Sequence, residues 1–509
     1  MTRTTSRTAR LTAWTAAHPW AGLTVWSAVV FLVAASVARA FTYPPLGSGD
    51  EPAHLDYVIT VWHGHLPVFE NGLTYKAPFG VVVPVQWVSQ HPPLYYVLLA
   101  PVLGPLWDSG HALVAVMAGR FASALLIACS VPAAAWGAWR AFPGNRRLPG
   151  AVAVLTALCG IVIQQGSSIY NDALYYPLIV LAFAIAGAAL RSGVGPKLLV
   201  AAVLVAAAGM STRLSFGLWL VALVVALLLA RDVRLWRLHG VLARVVAAVL
   251  PVVAAVAASG WFYVRNKQLS GNYSGRHADW GLQSFGRVER PVPVVAHDPF
   301  FWRGIFGVYR GVVDPLSWST WLLLLVPLLL AVLVGVSALV FRRTRTAAAG
   351  TPRSVERATI RDARRDRLST LLIVAMSVVV TALLVYTELD YVSGGGGANT
   401  RYGMTVLPVI VLAMAAGLTG WRRASGVLVL LWIALAMQPY LSLVDLSVTG
   451  IVPHAASVVR LTFAVSVVAL VGCVIGAFLD SGVVRDAQVA GRARRAAAQD
   501  RRASDSSTR

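Results

Sequence analysis

The sequence predicts an all-α polytopic membrane protein, and three observations carry that prediction. Apolar runs near or above the ~20 residues a helix needs to cross a bilayer recur along the whole chain. Hydrophobic residues make up 57% and charged residues 13% of the 509 positions, the latter about half the share usual in a soluble domain. The basic residues, which bring the net charge to +22, fall in short segments between apolar runs. That placement is the positive-inside pattern of a membrane protein, not a nucleic-acid-binding surface, and it suits anionic lipid headgroups as partners.

Hydropathy places spans near 20–42, 112–139, 149–168, 173–190, 197–211, 214–230, 243–263, 317–341, 369–388, 403–420, 425–443 and 459–479, about twelve in all. The fifth and sixth are short enough to form a hairpin that does not cross fully. With the N-terminus inside, the inner segments hold 30 of the 43 basic residues and the outer ones nine, although the outer ones are longer. The expected arrangement is therefore a plasma-membrane protein with both termini cytoplasmic and its function facing outward. It divides into a cytoplasmic tail over 1–19, a transmembrane domain over 20–480 and a disordered tail over 481–509. Two outer loops, 43–111 and 264–316, are long; the Arg-rich stretch 342–368 reads as a solvated inner linker. Cys129, Cys159 and Cys473 lie in apolar runs at unrelated spacings, so they predict neither disulfide nor metal motif and read as small buried hydrophobes.

The first outer loop carries "GSGDEPAHLDYV", residues 47–58. Gly47, Ser48 and Gly49 break the chain, Asp50 suits a helix N-cap, and Pro52 suits its first turn. Leu55, Val58, Ile59 and Trp62 recur at helical spacing until Gly64, which predicts an amphipathic helix lying in the membrane interface. Asp50 and His54 stand one turn apart on one face. A cap and a dipole account for Asp50 and Glu51 singly. Four ionisable residues within seven positions beside a bilayer, where such groups are costly, point to function. In "SQHPPLYYVLLAP", residues 89–101, Pro92 opens a second interfacial segment. His91 precedes it, and Tyr95 and Tyr96 suit the headgroup level.

Asp50-Glu51 after the first span, followed by "HPPLYY" in the same loop, resembles the GT-C superfamily of integral-membrane glycosyltransferases. The similarity leans to bacterial relatives of protein O-mannosyltransferase and of the lipid A aminoarabinose transferase. "SIYNDALYY" (168–176), "STRLSFG" (211–217), "WFYVRNKQLSG" (261–271) and "TRYGMTVLP" (400–408) are similar to further motifs of that superfamily, in order and on the same predicted face. The chain departs from the pattern at Ser270, at Thr405 and in the "GGGGAN" loop 394–399.

The resemblance implies a bundle of about twelve helices with interfacial helices in the first outer loop. It also implies a transferase that moves a monosaccharide from a polyprenyl-phosphate donor to a cell-envelope glycan, lipid or protein acceptor, with inversion. Asp50 is then the expected base, with Glu51 and Asp172 as further acids of the site. Arg401, then Arg213 and Arg265, are the expected cations for the departing phosphate. His54, His91, Tyr95, Asn171, Asn266 and Tyr402 are the expected substrate contacts. Asp50, Glu51, His54 and His91 offer oxygen and nitrogen donors that a divalent cation accepts, which leaves a metal cofactor open. The rival reading is a multi-span transporter or flippase of a sugar or lipid-linked substrate. It is less favoured because the acids and histidines crowd the outer loops, whereas transport sites lie near the bilayer midplane.

Overall fold

The computed structural model describes residues 18–47, 49–309, 318–341, 353–421, 424–443 and 452–480. The expected N-terminal tail to residue 17, Arg310, the stretch 342–352 and the tail 481–509 lie outside them. Twenty α-helices follow in order. The first long apolar rod, α1 (Leu23–Thr42), is followed by α2 (Glu51–Trp62) and α3 (Leu94–Asp108). Next come α4 (Ala112–Ala128), α5 (Ser130–Ala141), α6 (Leu148–Ala157), α7 (Gly160–Gly166), α8 (Asp172–Ser192), α9 (Pro196–Met210) and α10 (Gly217–Leu228). The long α11 (Gly240–Ser270) leads to three short helices, α12 (Ala278–Phe285), α13 (Val292–His297) and α14 (Pro299–Phe306). The chain closes with α15 (Trp318–Phe341), α16 (Arg353–Ser393), α17 (Thr400–Gly403), α18 (Leu407–Thr419), α19 (Ser425–Leu443) and α20 (Ala455–Asp480). The only ladder among the described residues pairs Arg234–Leu235 with Leu238–His239.

The fold is thus all-α, and among the described residues six helices are long and apolar enough to cross a bilayer, or seven if α6 and α7 count as one span. Pro196–Met210, Leu214–Leu228 and Leu407–Thr419 occupy expected spans but are shorter. The expected span 149–168 is broken: α6 and α7 meet at 60°. The cause is a carbonyl from elsewhere in the chain. Val308 O accepts from Ile161 N at 3.0 Å and from Cys159 Sγ at 3.2 Å, which takes the place of the local ladder.

Helices associate here through small residues, since between apolar helices in lipid close approach replaces the hydrophobic drive. A Cβ on Gly476 of α20 would lie 2.6 Å from the Thr24 backbone N of α1, and one on Gly472 would lie 2.4 Å from Ser27 Oγ. Gly137 of α5 and Ala184 of α8 meet in the same way, as do Gly417 of α18 and the Pro327 carbonyl of α15. At one end of the bundle, Arg191 donates to Ala141 O and pairs with Asp366, and Arg231 pairs with Asp362 and Asp366. The segments that follow α1 and α9 and those that open α8 and α18 gather elsewhere, at the site described next.

Three expectations need correction. The Arg-rich stretch is no linker from Arg353 onward: it is helical and continuous with the apolar part of α16. Cys159 and Cys473 are buried, but Cys129, at the junction of α4 and α5, is exposed. The helix α2 does not divide into a buried apolar face and an exposed polar one. Every residue from Glu51 to Thr60 is buried, because its polar face finds partners inside the protein. Asp56 accepts from Tyr75 N at 2.7 Å and from Gln86, whose Nε2 also donates to Ala53 O at 3.0 Å. The segment 65–90 is thereby drawn over the helix.

Candidate functional site

Four charged residues from four separate stretches of chain converge. Asp172 opens α8, where a carboxylate is favoured by the helix dipole. Its Oδ1 takes Arg213 Nη1, and its Oδ2 takes Arg401 Nε at 3.0 Å. Arg401 Nη1 in turn holds Asp50 Oδ2. The result is an alternating chain, Asp50, Arg401, Asp172, Arg213. Asp172 is inaccessible while the Asp50 side chain is 35% exposed, so the chain runs from a buried middle to an open end. Asp50 stands at the N-cap of α2 but makes no capping hydrogen bond; its carboxylate is spent on Arg401 instead.

Local structure explains the convergence. Asn399 accepts from Arg401 N at 3.0 Å, which opens the single turn of α17. Gly403 lets that turn sit against α14, since a Cβ there would lie 2.0 Å from Ile305 O. The turn bearing Arg213 is pinned from three directions. Tyr263 Oη donates to Met210 O at 2.7 Å, Leu94 N to Ser211 O at 3.1 Å, and Asn171 Nδ2 to Thr212 O at 3.3 Å. Aromatic faces line the cations: Arg401 lies 4.7 Å over Tyr170, and Arg213 lies 5.4 Å over Tyr175 and 5.9 Å over Tyr402.

His54 sits beside this chain. Its Nδ1 shares a 2.9 Å hydrogen bond with Tyr96 Oη, its ring meets Tyr170 edge-on at 5.0 Å, and its Nε2 is buried without a partner among the described residues. Burial first, then the charges of Arg401 and Arg213, hold its pKa well below the ordinary histidine range. His91, whose ring lies parallel at 6.4 Å, is held down in the same sense by burial and then by Arg213, His54, Arg401 and Arg276. Both imidazoles are therefore neutral at physiological pH. Tyr57 stacks on Tyr96 at 3.7 Å and donates to His91 O at 2.9 Å, which ties the two histidine-bearing segments together.

The remaining expected residues lie elsewhere or do other work. Glu51 is fully buried and its carboxylate is saturated. It accepts from Arg120 Nε at 2.8 Å and Nη2 at 2.6 Å, from Leu46 N at 3.0 Å and from Ile169 N at 3.1 Å. Tyr95 is core, bonded to Ser123 Oγ at 2.8 Å, and neither it nor Tyr96 is exposed at a headgroup level. Arg265 donates to Pro67 O at 2.8 Å and Asn266 to Gln90 O at 3.0 Å, so both fasten the end of α11 to the first loop. Asn171 keeps a buried Oδ1 without a partner among the described residues. Tyr402 remains in the site, beneath Arg213 and edge-on to Tyr391. The sequence motifs did not point to Arg120, Tyr170 or Arg276 as site or framework residues, and Tyr96, expected at the headgroup level, instead holds His54. Tyr170 stands within the "SIYNDALYY" motif, and Arg120 is a lone charge inside a span, a costly placement that itself signals a role.

The four metal-ligand candidates do not form a ligand set in this geometry. Glu51 is consumed by Arg120 and Asp50 by Arg401, and no group of three or more His, Cys, Asp or Glu side chains among the described residues could hold an ion. No protein-family model matches the chain, and no protein of curated function matches it.

Proposed function

We propose that this chain is a membrane glycosyltransferase of the GT-C kind, moving a monosaccharide from a polyprenyl-phosphate donor to an acceptor at the outer face. The observation that carries the reading is the convergence of Asp50, Asp172, Arg213 and Arg401 in one chain of ion pairs. All four stand at or beside helix ends rather than at mid-helix, which favours a site at the bilayer surface over a midplane transport site. In this reading about twelve helices cross, α9, α10 and α18 among them, both termini are cytoplasmic, and the site faces outward in the plasma membrane.

The chemistry follows from the pairing. Transfer of the sugar leaves an electron pair, and so growing negative charge, on the phosphate oxygen, and fixed guanidiniums stabilise it. A lipid phosphate that reaches Arg401 competes with Asp50 for its N–H groups. Asp50, the accessible acid, is then free to take the acceptor's hydroxyl proton while that oxygen attacks the anomeric carbon from the side opposite the phosphate, with inversion. Asp172, inaccessible and paired with both arginines, positions the two cations. Neutral His54, with its unpartnered Nε2, is placed to hydrogen-bond a sugar or acceptor hydroxyl.

The test is sugar transfer from a panel of polyprenyl-phosphate monosaccharides by the purified chain, run beside Asp50→Asn. Transfer by the wild type and a loss of about 100-fold or more in the variant is the expected result. Full activity in Asp50→Asn would remove Asp50 from the base role.

A further inference from the structure

Both arginines of the ion-pair chain are already neutralised: two guanidiniums face two carboxylates. An anionic ligand that must displace Asp50 from Arg401 is helped by a positive charge beyond these. Arg276, in the connection after α11, supplies one. Its guanidinium carbon lies 4.1 Å over the ring of Tyr391, Tyr391 meets Tyr402 edge-on at 5.6 Å, and Tyr402 lies under Arg213 at 5.9 Å. An aromatic ladder thus links Arg276 to the site, and its charge reaches His91 together with those of Arg213 and Arg401. Arg276 forms no ion pair with any carboxylate among the described residues. Glu388 of α16, one turn before Tyr391, is the acid whose field reaches it, and Glu388 Oε2 has no partner either.

The turn that presents Arg276 is tightly built. Asn272 brackets it, donating Nδ2 to Arg276 O at 2.8 Å and accepting from Arg276 N at 3.1 Å; Ser274 Oγ braces the same Asn272 oxygen at 2.6 Å. Gly275 has φ +71°, and a Cβ there would lie 2.8 Å from Asn266 Nδ2 and 2.9 Å from Gln90 Cβ. Only glycine allows that close seating of the turn on the end of α11 and on the segment that carries His91. The arginine is an exposed residue held at its backbone, which lowers the ordering cost of binding.

We propose that Arg276, stacked on Tyr391, is the first contact for the phosphate of a lipid-linked substrate. A planar guanidinium on an aromatic face suits phosphate oxygens. The proposal rests on the reading of the site given above and adds a residue to it.

The test uses the full chain in nanodiscs, titrated with a short-chain polyprenyl phosphate and read by tryptophan fluorescence, with the uncharged polyprenol and inorganic phosphate as companion ligands. Arg276→Gln should weaken polyprenyl-phosphate binding at least tenfold, Arg276→Lys should fall between, and Lys267→Gln, an exposed cation nearby, should stay within twofold. Glu388→Gln should tighten binding more in the wild type than in Arg276→Gln, because part of its opposing field falls on Arg276; an equal gain in both backgrounds would place the effect at Arg213 and overturn the proposal. Unchanged binding in Arg276→Gln, with loss in Arg401→Ala, would overturn the proposal and leave the proposed function standing. Displacement of the lipid one-for-one by inorganic phosphate would overturn the lipid assignment. Failure of the wild type to prefer the phosphate over the polyprenol would overturn both.

Discussion

Glu51 offers the sharpest separation of structure from chemistry, because the same acid can be read either way. Its carboxylate meets Arg120 at 2.6 and 2.8 Å with both side chains fully buried, and Arg120 also donates to the carbonyls of Ala40 at 2.6 Å, Tyr43 at 2.9 Å and Pro44 at 2.9 Å. The pair therefore knots the exit of α1, the start of α2 and the middle of α4. Removing one partner of such a pair costs about 3–5 kcal/mol, chiefly from the uncompensated buried charge. Arg120→Ala would also strip three carbonyls of a donor at about 1–3 kcal/mol each, enough to threaten folding outright. Glu51→Gln is the gentler variant. It keeps the shape and an oxygen that can accept from one backbone N–H, and it should cost about 3 kcal/mol. Glu51→Gln with Arg120→Gln should cost less than the sum of the two single changes by about 2–3 kcal/mol, since the second change removes the charge that the first left stranded. Reversible unfolding in mixed detergent micelles, followed by helical circular dichroism, measures all three. Additive losses would refute the coupling. A Glu51→Gln variant with an unchanged midpoint but transfer lowered about 100-fold would return Glu51 to the chemistry.

Arg401→Ala should lower transfer by about 100-fold, the scale for loss of a charge-stabilising donor, with most of the loss in donor use; an unchanged donor dependence would retire its phosphate role. The pH dependence of stability has a defined sign at His54. Its proton affinity is depressed in the folded chain, so below about pH 6.5 the unfolded chain binds the extra proton, and stability falls as pH drops by at most about 1.4 kcal/mol per unit. The wild type should therefore lose midpoint between pH 7.5 and 5.5, and His54→Gln should reduce that slope by about half, because His91 is depressed in the same sense; an identical slope in the variant would place the titration elsewhere. Reporters fused at positions 350 and 280 should read cytoplasmic and external respectively, and both on one side would break the arginine-counted topology.

How much of this was legible in the sequence depends on whether a residue's meaning is local. Asp50 stands out because charge is costly at a membrane boundary, Asp172, Arg213 and Arg401 through the motif resemblance, and the structure brings all four together. Arg120 is a lone charge inside an apolar span, but its role is not local, because its partner lies 69 residues away. The bend between α6 and α7 was illegible for the same reason: the carbonyl that makes it belongs to Val308, 149 residues from Cys159. In α2 the polar face was read as facing water. Periodicity records that a face is polar and is silent on whether water or a buried partner satisfies it, and here Arg120, Tyr96, Gln86 and Tyr75 take that part. The adjacent acids make the point most sharply. Successive helical side chains point about 100° apart, so Asp50 and Glu51 cannot serve one ligand in the same way. Glu51 turns inward to Arg120, and Asp50 turns to Arg401 at the open end. The inner acid fixes where α2 begins, and only because that start is fixed can the outer one stand beside a cation that four distant segments assembled.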